Sequence, residues 1–290
     1  MPLRFTKMYG LGNDYVYVVG HDQDLERFDL GKLSALVSDR NFGVGSDGLI
    51  LILPSESADF RMRIFNPDGS ESSMCGNGMR CLSKYVYEHG LTGKTQFEVE
   101  TLAGIIRPSL TIRGNEVVSV TVDMGEPRLA RGQIPMAGEP ADEPAIDQEL
   151  CVGTDFIRVT CVSMGNPHCV LFVDSVDTAP VCELGPQIEN HPCFPERTNV
   201  EFIEVIDRRH VRMRVWERGA GETLACGTGA SAACVACALN DLTDRAIEVQ
   251  LRGGDLDIEW AADNHVFMTG PAVEVFSGEL RDDFVAPALK

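Results

Sequence analysis

The feature that most limits what this 290-residue chain can fold into is an internal repeat. The segment RMRIFNPDGSESSMCGNG, Arg61 to Gly78, aligns without gaps on RMRVWERGAGETLACGTG, Arg212 to Gly229, at an offset of 151 residues that carries Cys75 onto Cys226. Arg61, Met62, Arg63, Glu71, Cys75, Gly76 and Gly78 are identical in the two copies. An offset near half the chain length predicts two related domains, and each half is long enough to bury its own core.

Each copy predicts an alternating strand (Phe60 to Phe65, Val211 to Trp216), a Gly-rich turn, the cysteine, and then a helix. The first helix, Gly76 to His89, places Met79, Leu82, Val86 and Tyr87 at helical spacing and stops at Gly90. The second, Gly229 to Leu239, is almost entirely Ala, Cys, Val and Ser. Small apolar residues on every side predict a helix surrounded by closely wrapped sheet.

Further strands are predicted at Asp14 to Val19, Leu49 to Leu53, Gln96 to Leu102, Val117 to Val122, Arg158 to Val162, Val170 to Val173, Val200 to Ile206, Ala246 to Leu251, Leu256 to Trp260 and Val273 to Phe276. Outer helices are predicted at Leu30 to Asp39 and Val181 to Glu189. The Pro- and acid-rich stretch Gly125 to Glu149 reads as a linker or exposed loop. The expected domains are therefore residues 1–125 with a returning tail 271–290, and residues 126–270.

Composition narrows the function classes. A net charge of −19 repels phosphate backbones and anionic lipid, which argues against nucleic-acid and membrane partners. Met1 to Gly20 interleaves Arg4, Lys7, Asn13 and Asp14 with its apolar residues and so lacks the core of a secretory signal. The expected compartment is the reducing cytoplasm, where ten cysteines act as thiols rather than as a disulfide framework.

Cys75 and Cys226 both stand at a helix start, where unpaired amide groups favour thiolate. The glycines after each, in Cys75-Gly76-Asn77-Gly78 and Cys226-Gly227-Thr228-Gly229, let a ligand approach the backbone, and helix starts of this kind suit a carboxylate. Two such starts gripping one carboxylate would put a thiol on each side of the adjacent carbon. Inversion of a stereocentre needs that arrangement, one group removing a proton and the other delivering one to the opposite face. Taken singly, each cysteine is equally a small core residue, as we read Cys81, Cys234 and Cys237. Cys234-Val-Ala-Cys237 has no second pair at zinc-ligand spacing.

At these motifs the chain closely resembles the diaminopimelate epimerases, which interconvert LL- and meso-diaminopimelate in the bacterial route to lysine and peptidoglycan. The matching stretches are Phe5-Thr-Lys-Met-Tyr-Gly-Leu-Gly-Asn13-Asp, Asn66-Pro-Asp-Gly, Cys75-Gly-Asn-Gly-Met-Arg80-Cys81, Gly165-Asn166-Pro-His168, Arg197-Thr-Asn199-Val, and Glu217-Arg218-Gly-Ala-Gly-Glu222-Thr ending in Cys226-Gly-Thr-Gly. The resemblance implies an α/β (α+β) fold of two pseudo-symmetric domains, each a curved, largely antiparallel sheet wrapped around a central helix, with the active site in the cleft between them. It implies Cys75 and Cys226 as the acid/base pair, with His168 and Glu217 beside them, tuning protonation or holding the reacting amino group of the substrate. Gly76, Asn77, Gly227 and Thr228 would hold the carboxylate at the reacting carbon, and Asn13, Asn66, Asn166, Asn199 and Arg218 the far end of the substrate. No organic cofactor and no metal are implied, and the expected assembly is a homodimer.

Bland alternatives accompany these assignments. Asn13, Asn66 and Asn166 adjoin Gly or Pro and fit ordinary turns, His168 a strand end, and Glu217 with Arg218 a surface pair. One departure from the family stands at Gly48, where some members carry Gln, so that a side-chain contact from that loop is not expected here. The competing functions are a proline or hydroxyproline racemase, which shares the two-thiol chemistry but shows His where Asn77 stands, and a thiol-rich zinc or redox protein.

Overall fold

In a computed structural model describing residues 2–290, the chain forms a mixed α/β fold with two sheets and few helices. Met1, which opens the N-terminal segment, lies outside the described residues. The elements of the first half are β1 (Leu3–Gly10), β2 (Asn13–Val19), α1 (Leu30–Ser38), β3 (Leu49–Leu53), β4 (Phe60–Phe65), β5 (Glu71–Ser72), α2 (Gly76–Glu88), β6 (Val99–Thr101), β7 (Gly104–Ile106), β8 (Ser109–Arg113) and β9 (Glu116–Asp123). Those that follow are β10 (Gln148–Val152), β11 (Asp155–Ser163), β12 (Pro167–Phe172), α3 (Val181–Glu189), β13 (Asn199–Val205), β14 (His210–Glu217), β15 (Gly221–Thr223), α4 (Gly227–Leu239), β16 (Ala246–Leu251), β17 (Gly254–Trp260), β18 (Val266–Gly270), β19 (Val273–Leu280) and α5 (Asp282–Val285). Two compact units result, one of Met1–Val122 with Gly270–Lys290 and one of Asp123–Thr269.

The first unit carries a sheet of order β19-β1-β2-β3-β4-β6-β7, with β5 beside β4. Its pairings are antiparallel except β2 with β3 and β4 with β6. The second unit repeats that pattern in the order β10-β11-β12-β13-β14-β16-β17-β18, with β15 beside β14, and is parallel only at β12 with β13 and β14 with β16. The repeat seen in 18 aligned residues thus extends through the strand order of both units.

Helix α4 packs on β11, β12, β13, β16 and β17, so the sheet bends round it. It is buried from Gly229 to Cys237 because Ala, Ser and Cys let strands approach on every side. Helix α2 is likewise buried from Gly76 to Lys84, and it ends before Gly90, whose φ of +71° few other residues adopt. On the other face of each sheet lies an outer helix. Leu33 and Val37 of α1 join Phe28, Val16, Leu49 and Leu51 in one core, and Val181 and Ile188 of α3 join Leu171, Val200 and Phe202 in the other.

The stretch Gly125 to Glu149 is in part the exposed loop expected, since residues 137–144 are exposed and form no helix or strand, but it is anchored to the second unit rather than being a free linker. Ile134, Met136 and Ala145 are buried in the core of the second unit with Val159, Cys161 and Phe194. Ala137 N–H donates to the Cys193 carbonyl at 2.8 Å, and Arg128 and Ala130 bridge to Ser163 and Pro144. Its three apolar anchors are too irregularly spaced among Pro and acidic residues to show a period. Strands β1, β5, β7, β8, β10, β15 and β18 were also not expected, and the strand expected from Gln96 to Leu102 is reduced to Val99–Thr101. If the stretch is core, Ile134→Ala should lower the free energy of unfolding by about 2–5 kcal/mol in a denaturant titration. A solvated linker would lose less than about 0.5 kcal/mol.

Candidate functional site

Both repeat cysteines are helix N-caps. Cys75 has extended φ,ψ of −142° and 117°, and its sulfur accepts the Gly78 N–H at 3.4 Å. Cys226 matches it at −131° and 112°, with its sulfur accepting the Gly229 N–H at 3.4 Å. Each donor residue must be glycine for lack of space: a Cβ on Gly78 would lie 2.6 Å from Ile50 Cδ1, and one on Gly229 would lie 2.8 Å from Glu201 Oε1.

Around Cys75 the first unit builds a chain of side chains. The Tyr15 hydroxyl donates to the sulfur at 3.6 Å, and the thiol faces Asn13 Oδ1 at 3.5 Å. Asn13 Oδ1 also accepts from Asn77 Nδ2 at 3.2 Å, while Asn13 Nδ2 donates to Asp47 at 2.8 Å. Asn77 Oδ1 in turn accepts from Arg80 Nη2 at 2.9 Å. Arg80 is fully buried and donates through Nε to the Pro271 carbonyl at 3.1 Å. Asn66 is engaged in its own turn, donating to Ser70 through both backbone and side chain. Gly48 has a φ of +152°, and a Cβ there would meet the Phe65 carbonyl at 2.4 Å, which is why this position carries no side chain.

Around Cys226 the second unit builds a different chain. Thr228 Oγ1 lies 3.5 Å from the sulfur and accepts from Asn166 Nδ2 at 3.3 Å. Asn166 Oδ1 meets His168 Nε2 at 3.0 Å, and His168 Nδ1 meets Glu201 Oε1 at 2.7 Å. His168 and Glu201 are both fully buried. Glu217 bonds the Thr223 hydroxyl and, at the end of β14, stands against Cys226. Asn199 is occupied on both sides, accepting from the Arg218 N–H at 2.9 Å and donating to the Pro167 carbonyl at 2.8 Å. The Arg218 guanidinium reaches the Glu196 carbonyl at 3.0 Å.

The electrostatics reverse one sequence expectation. A helix start was expected to favour thiolate, yet burial pushes the Cys75 thiol up, against the opposing pull of the Gly78 amide, the Tyr15 hydroxyl and Arg80. Burial pushes Cys226 well up, and the neighbouring Glu217 and Glu201 carboxylates push it further the same way. Desolvation of a small anion outweighs half a unit of helix charge when no ligand is present. Burial also raises Glu217, against its bonds from Thr223 and Cys226.

Sequence reasoning missed Tyr15, Asp47 and Glu201, and left Arg80 without a role although it stood inside a quoted motif. Glu201 had a legible signal, as the only charged residue in the apolar run Val200 to Ile203. Among the described residues, no three His, Cys, Asp or Glu side chains are grouped to hold a metal ion.

The ordering of the two thiols is measurable. Alkylation of the native protein by iodoacetamide, followed peptide by peptide across pH, should show both thiols reacting only at alkaline pH. Cys226 should need a higher pH than Cys75, and the reverse order would contradict the charge distribution described.

Comparison with known proteins gives a consistent result. The family model described as diaminopimelate epimerase matches residues 5–130 and 160–275. Diaminopimelate epimerase of Moorella thermoacetica is 58% identical over 278 residues, covering 96% of this chain and 99% of that protein. The enzyme of the same name from Heliobacterium modesticaldum is 56% identical over 281 residues, covering 96% and 99%. Among solved structures, a phenazine biosynthesis protein of the PhzF family from Bacillus anthracis superposes with a TM-score of 0.71 at 19% identity, covering 97% of this chain and 99% of that one. A probable proline racemase from Agrobacterium radiobacter K84 does so with a TM-score of 0.67 at 15% identity, covering 96% and 93%. These two share the fold. Matched along almost its whole length, and with both repeat cysteines inside the matched segments, the chain belongs to the diaminopimelate epimerase family.

Proposed function

We propose that the protein is an isomerase that interconverts LL- and meso-2,6-diaminopimelate by two-base proton transfer at one α carbon, using Cys75 and Cys226 and no organic cofactor. The observation that carries this is the pair of N-cap thiols, each at the head of a buried helix that opens Cys-Gly-x-Gly. In one direction a thiolate takes the α proton and becomes a thiol. The other thiol then gives its proton to the opposite face of the carbanion and becomes a thiolate. The reverse reaction exchanges the roles, so no net proton is consumed.

The elevated thiols fit this scheme. A neutral thiol at pH 7 is the required acid, and the substrate ammonium is the cation that would favour the opposing thiolate once bound. The amides of Gly76, Asn77, Gly227 and Thr228 are assigned to the α-carboxylate, where they would stabilise charge developing as the proton leaves. His168 and Glu217 assist beside Cys226. Asn13, Asn66, Asn166, Asn199 and Arg218 are assigned to the far end of the substrate. For Asn199 the support is indirect, since both its amide atoms are spent on backbone and its service would be to set the Arg218 main chain. Proline or hydroxyproline racemisation is the lesser alternative, because Asn77 is tied to Asn13 and Arg80 at the position where those enzymes show His.

At low conversion, before product returns to substrate, LL-diaminopimelate in deuterium oxide should give meso product with deuterium at one α carbon only. Cys75→Ala and Cys226→Ala should each lower kcat by about a thousandfold or more with the fold intact by circular dichroism. Label at both centres, normal turnover in either variant, or faster turnover of proline would refute the assignment.

The protein is further assigned to the cytoplasm, supported by ten cysteines that are all free, and to a homodimer. Strand β19 supports the latter, being a sheet edge that exposes Val273, Val275 and Phe276. Sedimentation should give twice the chain mass, and Val275→Asp should shift it toward the single-chain value.

A further inference from the structure

The two thiol sites are copies in backbone and differ in what lies beneath them. The repeat offset of 151 residues carries Ile50 onto Glu201, and these two side chains occupy the same place, pressed under the third residue of each catalytic helix at Gly78 and Gly229. Beneath α2 the floor is thus a methyl group. Beneath α4 it is a carboxyl that water does not reach.

Glu201 has one ordered partner, His168 at 2.7 Å through Oε1, while Oε2 is buried with no hydrogen-bond partner among the described residues. An isolated buried carboxylate costs several kcal/mol of desolvation on an order-of-magnitude basis, so a strand would not retain one where its copy has isoleucine without a use for the charge. The groups facing it are His168 and Cys169 on β12, Glu217 on β14 and Cys226 at the head of α4, with Cys161 of β11 opposite Cys169. Of these only His168 can bear positive charge. From His168 the contacts continue through Asn166 and Thr228 to the Cys226 sulfur.

We infer that Glu201 is the positioning residue of the Cys226 site: its carboxylate accepts the hydrogen bond of His168 Nδ1–H, which fixes the imidazole beside Asn166 and Thr228, and its negative charge opposes a thiolate at Cys226. The Ile50 floor exerts no such bias on Cys75, beside which Arg80 lies instead. The duplication therefore produced two acids and bases with matching backbone, and this exchange, together with Glu217 beside Cys226 and Arg80 beside Cys75, makes them unequal. In the ligand-free protein Cys226 is the proton donor and Cys75 the thiol more easily ionised. This extends the two-thiol assignment above, and the alkylation readout below does not depend on turnover.

Glu201→Gln keeps the shape and removes the charge, and Glu201→Ile installs the residue of the other copy. In either variant the pH midpoint for iodoacetamide alkylation of Cys226 should fall by roughly half a unit or more, because a nearby negative charge has been removed. The midpoint for Cys75 should stay within about 0.2 unit. The pH profile of kcat should change shape, with kcat lowered about tenfold and KM changed less than about threefold, since the effect passes through an acid/base group. An unmoved Cys226 midpoint in both variants, or equal movement of both thiols, would overturn the inference. A shifted midpoint with Cys226→Ala still fully active would instead leave Glu201 in place and remove the acid/base assignment.

Discussion

Everything at the candidate site depends on one weak hydrogen bond made twice, from a backbone N–H in the first helical turn to a cysteine sulfur at 3.4 Å. Oxygen caps such as Ser or Asp are the residues a helix start ordinarily selects, with capping worth about 1 kcal/mol. Cysteine is a poorer cap and is retained twice. The same contact fixes the sulfur over the amides where an anion would bind, so the stability forgone at the cap is the condition for placing a thiol beside a bound carboxylate.

The second physical theme is the contest between burial and helix charge. A helix start lowers a thiol in a solvated setting, but here the surrounding sheet excludes water and the neutral form prevails at both cysteines. For a two-base reaction this is appropriate, because one of the two sulfurs has to hold a proton when substrate arrives. On the proposed mechanism, reactivity then waits for the substrate's own charge. The inequality between the thiols comes from single side chains, Arg80 near one and Glu201 with Glu217 near the other.

Much of this was legible in the chain. The ungapped repeat found both caps, both glycines that follow, and the strand that leads into each. The apolar makeup of Gly229 to Leu239 foretold the buried helix, and the quoted motifs carried the family. Less was legible where contact depends on residues far apart in sequence. Tyr15 reaches Cys75 across 60 positions and Asn13 reaches it across 62, and neither has local spacing to announce it. The anchoring of the stretch from Gly125 to Glu149 was not legible because the few buried side chains, Pro127, Ile134, Met136 and Ala145, leave no periodic trace among many polar ones. That the amide of Asn199 holds the Arg218 N–H and the Pro167 carbonyl likewise has no local signal, since these partners lie 19 and 32 positions away.

The sequence by itself determined the duplication, the two capping thiols and the chemistry of their helix starts, since these follow from local spacing and residue type. Only the tertiary structure decided how acidic those thiols are and which partners hold them, because desolvation and charge act through space. Ile50 and Glu201 are matched by the repeat in sequence, but that one is an inert floor and the other a buried charge under a thiol follows only from the packing of strand against helix.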